Sequence, residues 1–362
     1  MSNKQIHYNI DNIKEKNALI NLIYGEKSNG KSYQAKHKLA ILNYINNNKK
    51  FILLRRWKDD INNTWIERYF ADVDIETLTN KKYTFVSMYR KVLYFSNMDE
   101  TGKTIRGEKI GYALPLSAEQ HFSSGSFLDV DTIIFEEFMQ RGIYIKDEPE
   151  KLMIFYSTVD RKRGTTKLWL IGNTISRVCP YLNDWGLHNV VRNLKQGQIE
   201  TLEITNDTDT IKMAIEYCQN SGGKKVTIGN ASSMIESGAW QTKPQPKIEN
   251  IKDYKILFKI GFLFKGFKFI GQYMLNNVSR ETIWFIYPYT RHEFNNKMLV
   301  FSDIVKNNML WYRNPYEIVM NNKKVESKYK KLFDTFRESN IFYSDDLTGT
   351  DFKQAIDFVI KK

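Results

Sequence analysis

Two cysteines, Cys179 and Cys218, are all that the 362 residues contain, which leaves no disulfide framework and makes a reducing compartment the expectation. The five histidines never fall at metal-ligand spacing with a cysteine, which argues against a structural zinc. The opening MSNKQIHYNIDNIKEKN is polar and lacks the apolar stretch of a secretory signal, so an intracellular protein is expected. Long uninterrupted apolar runs are missing as well. The most apolar window, YKILFKIGFLFKGFKFIGQYML, is broken by Lys255, Lys259, Lys265 and Lys268, which a spanning helix would have to place in hydrocarbon. Its alternation about Lys265-Gly266 predicts a β-hairpin with a lysine-bearing face, a basic membrane-surface segment being the alternative. There is no internal repeat and no low-complexity tract.

What the chain does hold is apolar mass and positive charge. At 42 % hydrophobic and 14 % aromatic it can build a core for two domains, and a net charge of +13 favours polyanionic partners such as nucleic acid. Residues 17–24 (NALINLIY) predict a buried parallel strand, and 30–47 a helix with Tyr33, His37 and Ala40 to Leu42 on one side. KKFILLRRW follows as a second strand. DDINNTWIERYFADV places Ile61, Trp65, Ile66 and Tyr69 at helical spacing behind aspartates suited to capping. KVLYFSNM and EKIGYALPL flank DETGKTIRG as a hairpin with a basic tip, expected to decorate the main sheet. VDTIIFEEF and KLWLIGNTIS complete a core of at least four parallel strands, an α/β domain.

Residues 198–246 are rich in turn formers and read as a linker or lid, ending in TKPQPK. The expected division is 1–197 for the α/β domain, 198–246 for the linker, and 247–362 for a basic domain. This last part holds 20 Lys and Arg against 13 Asp and Glu, a net of +7.

Chemistry concentrates at Gly25, Glu26, Lys27, Ser28, Asn29, Gly30, Lys31 and Ser32, a full match to the P-loop pattern between a strand and a helix. Glycines let backbone NH groups converge on phosphate oxygens, and the helix adds its positive end. Lys31 is expected to reach the β and γ phosphates of ATP, and Ser32 to offer its hydroxyl to Mg²⁺. The second acidic strand supplies Glu136, assigned to Mg²⁺, and Glu137, assigned as the general base that polarises water. Asn173 ends a neighbouring strand, placed to orient water or sense the γ phosphate. Arg161 and Arg163 precede that strand, where either could act as an arginine finger on a neighbouring subunit or remain in a solvated loop. Arg55 and Arg56 could contact phosphate, DNA or a partner subunit.

GEKSNGKS, ILLRRW, GYALPLS, DVDTIIFEEF and LIGNT together resemble the DNA-packaging ATPases of the phi-twenty-nine group of small tailed phages, relatives of terminase large subunits. The resemblance implies an additional-strand (ASCE) P-loop ATPase domain, whose acid-bearing strand is separated from the P-loop strand by another. It also implies a small α+β RNase H-like C-terminal domain. The partners it implies are double-stranded DNA, the capsid portal or connector, a structural RNA in some phages, and sister subunits in a ring of five. The place of work would be the host cytoplasm, at the portal vertex. Lys103, Arg106 and Lys109 are the pore-loop candidates. A nuclease of the terminase type needs clustered carboxylates; the candidate first strands carry lysines instead, and Asp345, Asp346 and Asp351 crowd one late loop. No cleavage activity is therefore expected. The alternatives are a P-loop translocase of the FtsK or HerA type and a P-loop kinase acting on a small molecule.

Overall fold

Strand β1 (Ile20–Gly25) is buried along its whole length, as an apolar run covered on both faces must be. The other strands of its sheet are β2 (Lys50–Arg55), β3 (Phe85–Tyr89), β4 (Val92–Met98), β5 (Thr104–Pro115), β6 (Val130–Glu136), β7 (Lys167–Asn173), β8 (Gln198–Thr205) and β9 (Thr210–Tyr217). The nine strands lie in the order β3-β4-β5-β2-β6-β7-β1-β9-β8. From β5 to β9 neighbouring strands run parallel, and the two edges close with antiparallel pairs. The acid-bearing β6 is thus separated from β1 by β7, the additional-strand arrangement. The structure, a computed structural model, describes residues 7–122, 125–140, 143–205, 210–222, 235, 237–291, 294–295, 297–304, 312–315 and 327–356.

Two expectations about this sheet are corrected. The hairpin is no appendage: β5 pairs with β4 along its first part and continues parallel to β2, so β3, β4 and β5 are one edge of the main sheet. Its turn covers Asp99 to Lys103, so Lys103 is at the tip, whereas Arg106 and Lys109 lie along β5 opposite Ser96 and Tyr94. All three are exposed, and Arg106 stacks on Tyr89. The segment expected to be a linker contributes β8 and β9, and β9 pairs with β1 in register from Ile20↔Met213 to Tyr24↔Tyr217. The chain divides into two compact units, Met1–Ile175 with Val190–Ala239, and Ser176–Asn189 with Trp240–Lys362. Most of the turn-former clusters, at 206–209, 223–234 and 236, lie outside the described residues.

Lys31–Gln34, Ala35–Ile41 and Leu42–Asn47 form one continuous helix, α1, whose middle has π-helical hydrogen bonding. Its buried side is Ala35, Leu39, Ala40 and Ile41, packed with Ile23, Phe51, Ile134 and Ile171 of the sheet. Tyr33 is exposed rather than on that side. Helix α2 (Asn63–Phe70) is capped by Asn62, whose side chain accepts from Trp65 N, while the aspartates expected to cap it form a short turn before. Helix α3 is Glu148–Asp160.

Arg55 and Arg56 have opposite fates. Arg56 is 3 % exposed and forms a bidentate pair with the fully buried Glu148, at 2.7 and 2.8 Å, while it also donates to the carbonyls of Glu137 and Phe138. It locks the exit of β6 to the start of α3 and is closed to DNA or a partner subunit, contrary to expectation. On the other side of β1, Glu216 of β9 accepts a 2.6 Å hydrogen bond from the Tyr8 hydroxyl, which ties the N-terminal segment to the sheet. Burial lifts the Glu216 carboxyl to about 7, against that hydrogen bond and the charge of Lys31.

In the second unit β10 (Tyr254–Phe264), β11 (Phe267–Asn276), β12 (Thr282–Pro288), β13 (Val300–Ser302), β14 (Tyr312–Arg313) and β15 (Asn340–Tyr343) take the order β14-β13-β10-β11-β12-β15. An antiparallel β10-β11-β12 meander with β13 and β14 added parallel beside β10 is the strand plan of the expected RNase H-like domain. Helices α4 (Ser327–Glu338) and α5 (Asp346–Ala355) cover one face through Phe333, Phe336 and Phe352, packed on Phe262, Phe264 and Trp284. Lys265 and Gly266 turn the hairpin with φ of 48° and 76°, as a two-residue type I′ turn demands. A bulge between Ile256 and Phe258 shifts the register. Lys255 therefore falls on the opposite face from Lys259 and Lys268, so the lysines do not share one face. Among the described residues no helix is long and apolar enough to cross a membrane.

Two outcomes follow. Arg56→Ala takes the bidentate partner from the buried Glu148 carboxylate and should cost about 3–5 kcal/mol in urea denaturation, most of it recovered when Arg56→Met is combined with Glu148→Leu. An unfolded glutamate ionises near pH 4.3, so the raised Glu216 carboxyl withdraws stability as pH climbs from there to about 7. Glu216→Gln, which keeps an acceptor for Tyr8, should raise Tm relative to wild type at pH 8 and not at pH 4.

Candidate nucleotide site

The loop from Gly25 to Ser32 joins β1 to α1. Gly30, at φ 99°, holds a left-handed conformation directly before the helix, where a side chain would strain the backbone. Gly25 answers to a different constraint: a Cβ there would stand 3.0 Å from the Cβ of Cys218 on the neighbouring chain segment.

The loop is fastened from behind. Tyr8 N donates to Asn29 O at 3.1 Å, and the Glu26 carboxylate accepts from Ser221 N at 2.8 Å and Ser221 Oγ at 2.7 Å. Lys31 is 5 % exposed, and its Nζ donates to the Glu26 carbonyl and to Asn29 Oδ1. Burial pulls its pKa below the usual ammonium value. Among the described residues no carboxylate lies within ion-pair distance of Lys31, so a buried positive charge rests on neutral acceptors, an arrangement that favours an anionic ligand.

Glu136 ends β6 with its side chain buried. Its Oε2 accepts from Ser32 Oγ at 2.9 Å and its Oε1 from Tyr69 OH at 2.7 Å. Burial raises its pKa, opposed by those two hydrogen bonds, and burial also holds the Tyr69 phenol well above its ordinary value. A hydroxyl and a carboxylate converging on one point are hard oxygen donors of the kind Mg²⁺ takes, one or two from protein with the rest from phosphate and water, so the residues fit the ion. Glu137 departs from the strand at φ 58° and is exposed. Its carboxylate pairs with Arg55 Nη2 at 3.0 Å, and the Arg55 guanidinium stands 5.2 Å over the Trp65 ring. Asn173 faces Gly25 in the β1–β7 register.

Lys27, Ser28, Asn29, Gly30, Lys31 and Ser32 thus line one cavity of about 390 Å³ together with Glu136, Glu137 and Asn173. Arg161 and Arg163 are not part of it. They precede β7, whose seven residues carry Asn173 about 20 Å farther on. Arg163 binds the carbonyls of Leu128, Val130 and Val159 and stitches the far ends of β6 and β7, while the exposed Arg161 donates to Gly125 O. Tyr69 was missed in the sequence, where its spacing from Trp65 marked only an apolar helix face.

Over residues 2–345 the chain matches the family model described as Podovirus DNA encapsidation protein (Gp16). It is 26 % identical over 316 residues to the DNA packaging protein of Bacillus phage phi29, covering 84 % of this chain and 89 % of that protein. A match to the DNA packaging protein of Bacillus phage B103 is 31 % identical over 172 residues, 47 % of this chain, and spans about half of that relative (48 %). The solved bacteriophage Phi-29 viral genome packaging motor assembly contains a chain of similar fold, with a TM-score of 0.55 and 20 % identity over 98 % of this chain and 99 % of that one. The chain belongs to the Podovirus DNA encapsidation protein (Gp16) family.

Proposed function

We propose that this protein is a motor that hydrolyses ATP to drive double-stranded viral DNA into a preformed capsid. The observation that carries this reading is the convergence of Lys31, Ser32, Glu136, Glu137 and Asn173 on one cavity at the ends of β1, β6 and β7. Family membership selects DNA as the cargo, and the net charge of +13 suits a partner gripped by its phosphates.

In this mechanism the backbone NH groups of the loop and Lys31 hold the triphosphate. Ser32 and Glu136 would hold Mg²⁺, which neutralises charge on the β and γ phosphates when bound. Tyr69 keeps the Glu136 carboxylate aimed at that point, which lets a glutamate serve there in spite of its extra methylene. Glu137 takes a proton from the attacking water after its carboxylate leaves Arg55, and Asn173 orients the water. Hydrolysis is completed at a subunit interface by an arginine from the neighbour in a ring of five. Arg161 is the better candidate, because Arg163 is tied to five carbonyls of its own chain. The ring sits at the portal vertex in the host cytoplasm, against the portal and a structural RNA, with Lys103 available to DNA.

The second unit binds nucleic acid or portal without cutting. In support, Asp345 caps α5 by accepting from Thr348 N, Asp346 pairs with Lys247, and Asp351 pairs with Arg177, so each candidate carboxylate has a structural use.

Glu137→Gln should bind ATP as wild type does and lose about 10²–10⁴-fold in turnover; wild-type turnover would remove it from the mechanism. Tyr69→Phe should raise the Mg²⁺ concentration for half-maximal turnover about tenfold with ATP affinity unchanged. With empty capsids, added DNA should resist nuclease only when protein and ATP are both present; protection without ATP, or none with it, would contradict the motor reading.

A further inference from the structure

Tyr33 follows directly on Ser32 and lines the same cavity, where it is the sole aromatic side chain among the described residues. Tyr33 is 36 % exposed, and its hydroxyl has no hydrogen-bond partner among the described residues. The ring stacks on His37, one helical turn along α1, with centroids 5.4 Å apart and planes 14° from parallel. Partial burial and the neighbouring Lys38 lower the His37 pKa, which favours the neutral imidazole behind Tyr33. The result is an aromatic surface, backed on one side and open on the other, beside the loop read as holding phosphates.

We propose that the Tyr33 ring, backed by His37, is the platform on which the purine base of the bound nucleotide stacks. This rests on the phosphate-loop reading of residues 25–32 and adds what that loop cannot supply, a means to tell a nucleotide from a bare polyphosphate. Every base has a π-face, so stacking reads ring area rather than base edges, and a purine offers more area than a pyrimidine. The charged side chains nearest along α1 are already committed: Lys36 pairs with Asp72 and donates to Tyr69 O, and Lys38 pairs with Asp11. Tyr33, with His37 behind it, is left as the surface that meets the base.

The test is a pair of titrations on the full chain with Mg²⁺, one with ATP and one with inorganic tripolyphosphate, for wild type, Tyr33→Ala and Tyr33→Phe. Tyr33→Ala should weaken ATP by about 5- to 150-fold, the loss of one stacked base, and leave tripolyphosphate unchanged. Tyr33→Phe should bind both as wild type does, and the wild-type preference for ATP over CTP should shrink in Tyr33→Ala. Unchanged ATP affinity in Tyr33→Ala would overturn the proposal. An equal loss for ATP and tripolyphosphate would overturn it too, since Tyr33 would then be shaping the phosphate loop. A wild-type protein that binds neither ligand would sink the phosphate-loop reading itself and this proposal with it.

Discussion

The hydrogen bond from Ser32 Oγ to Glu136 Oε2, at 2.9 Å, joins the first turn of α1 to the end of β6, 104 residues on in the chain, and β6 is separated in the sheet from β1 by β7. The parallel pairing of β1 with β7 and of β7 with β6 brings the C-terminal ends of β1 and β6 to the same edge of the sheet, where this contact forms. Much of the rest serves it. Tyr69 holds the second carboxylate oxygen, α1 presents Ser32 from its first turn, and the Arg56–Glu148 pair fixes the chain as it leaves β6.

Around that contact the charges are arranged unequally. Lys31 is buried on neutral acceptors, Glu136 is buried on hydroxyl donors, and Glu137 is exposed on an arginine. Two adjacent glutamates therefore differ in environment as two different residues would. The strand ends between them, and the φ of 58° at Glu137 turns its side chain out of the pleat. Burial keeps one aimed at a fixed point, and exposure leaves the other free to exchange partners.

The parts legible in the sequence are those set by local rules. The phosphate loop was readable because the glycine positions answer to backbone geometry, and β6 because the apolar run Ile133, Ile134 and Phe135 directly precedes its acids. The hairpin turn at Lys265-Gly266 was readable from alternation. What escaped depends on partners far along the chain. Arg55 and Arg56 are neighbours at a strand end, and only Glu148, 92 residues beyond Arg56, decides that one goes inward. Tyr69 has an apolar body that matches the helix stripe, and its polar function appears only with Glu136, 67 residues on. Strands β8 and β9 were hidden because β8 alternates with polar residues at an exposed edge, and the turn formers around both outweighed the apolar run of β9. The bulge in β10 adds one unpaired residue and reverses the facing of Lys255, which strict alternation cannot anticipate.

The most direct test of the account is a crystal structure of the full chain with Mg²⁺ and a slowly hydrolysed ATP analogue. The account predicts the triphosphate enclosed by residues 25–32, Lys31 Nζ moved from the Glu26 carbonyl to the phosphates, and the metal between Ser32 and Glu136. Nucleotide bound elsewhere, or a Lys31 still seated on Glu26 at saturating analogue, would contradict it.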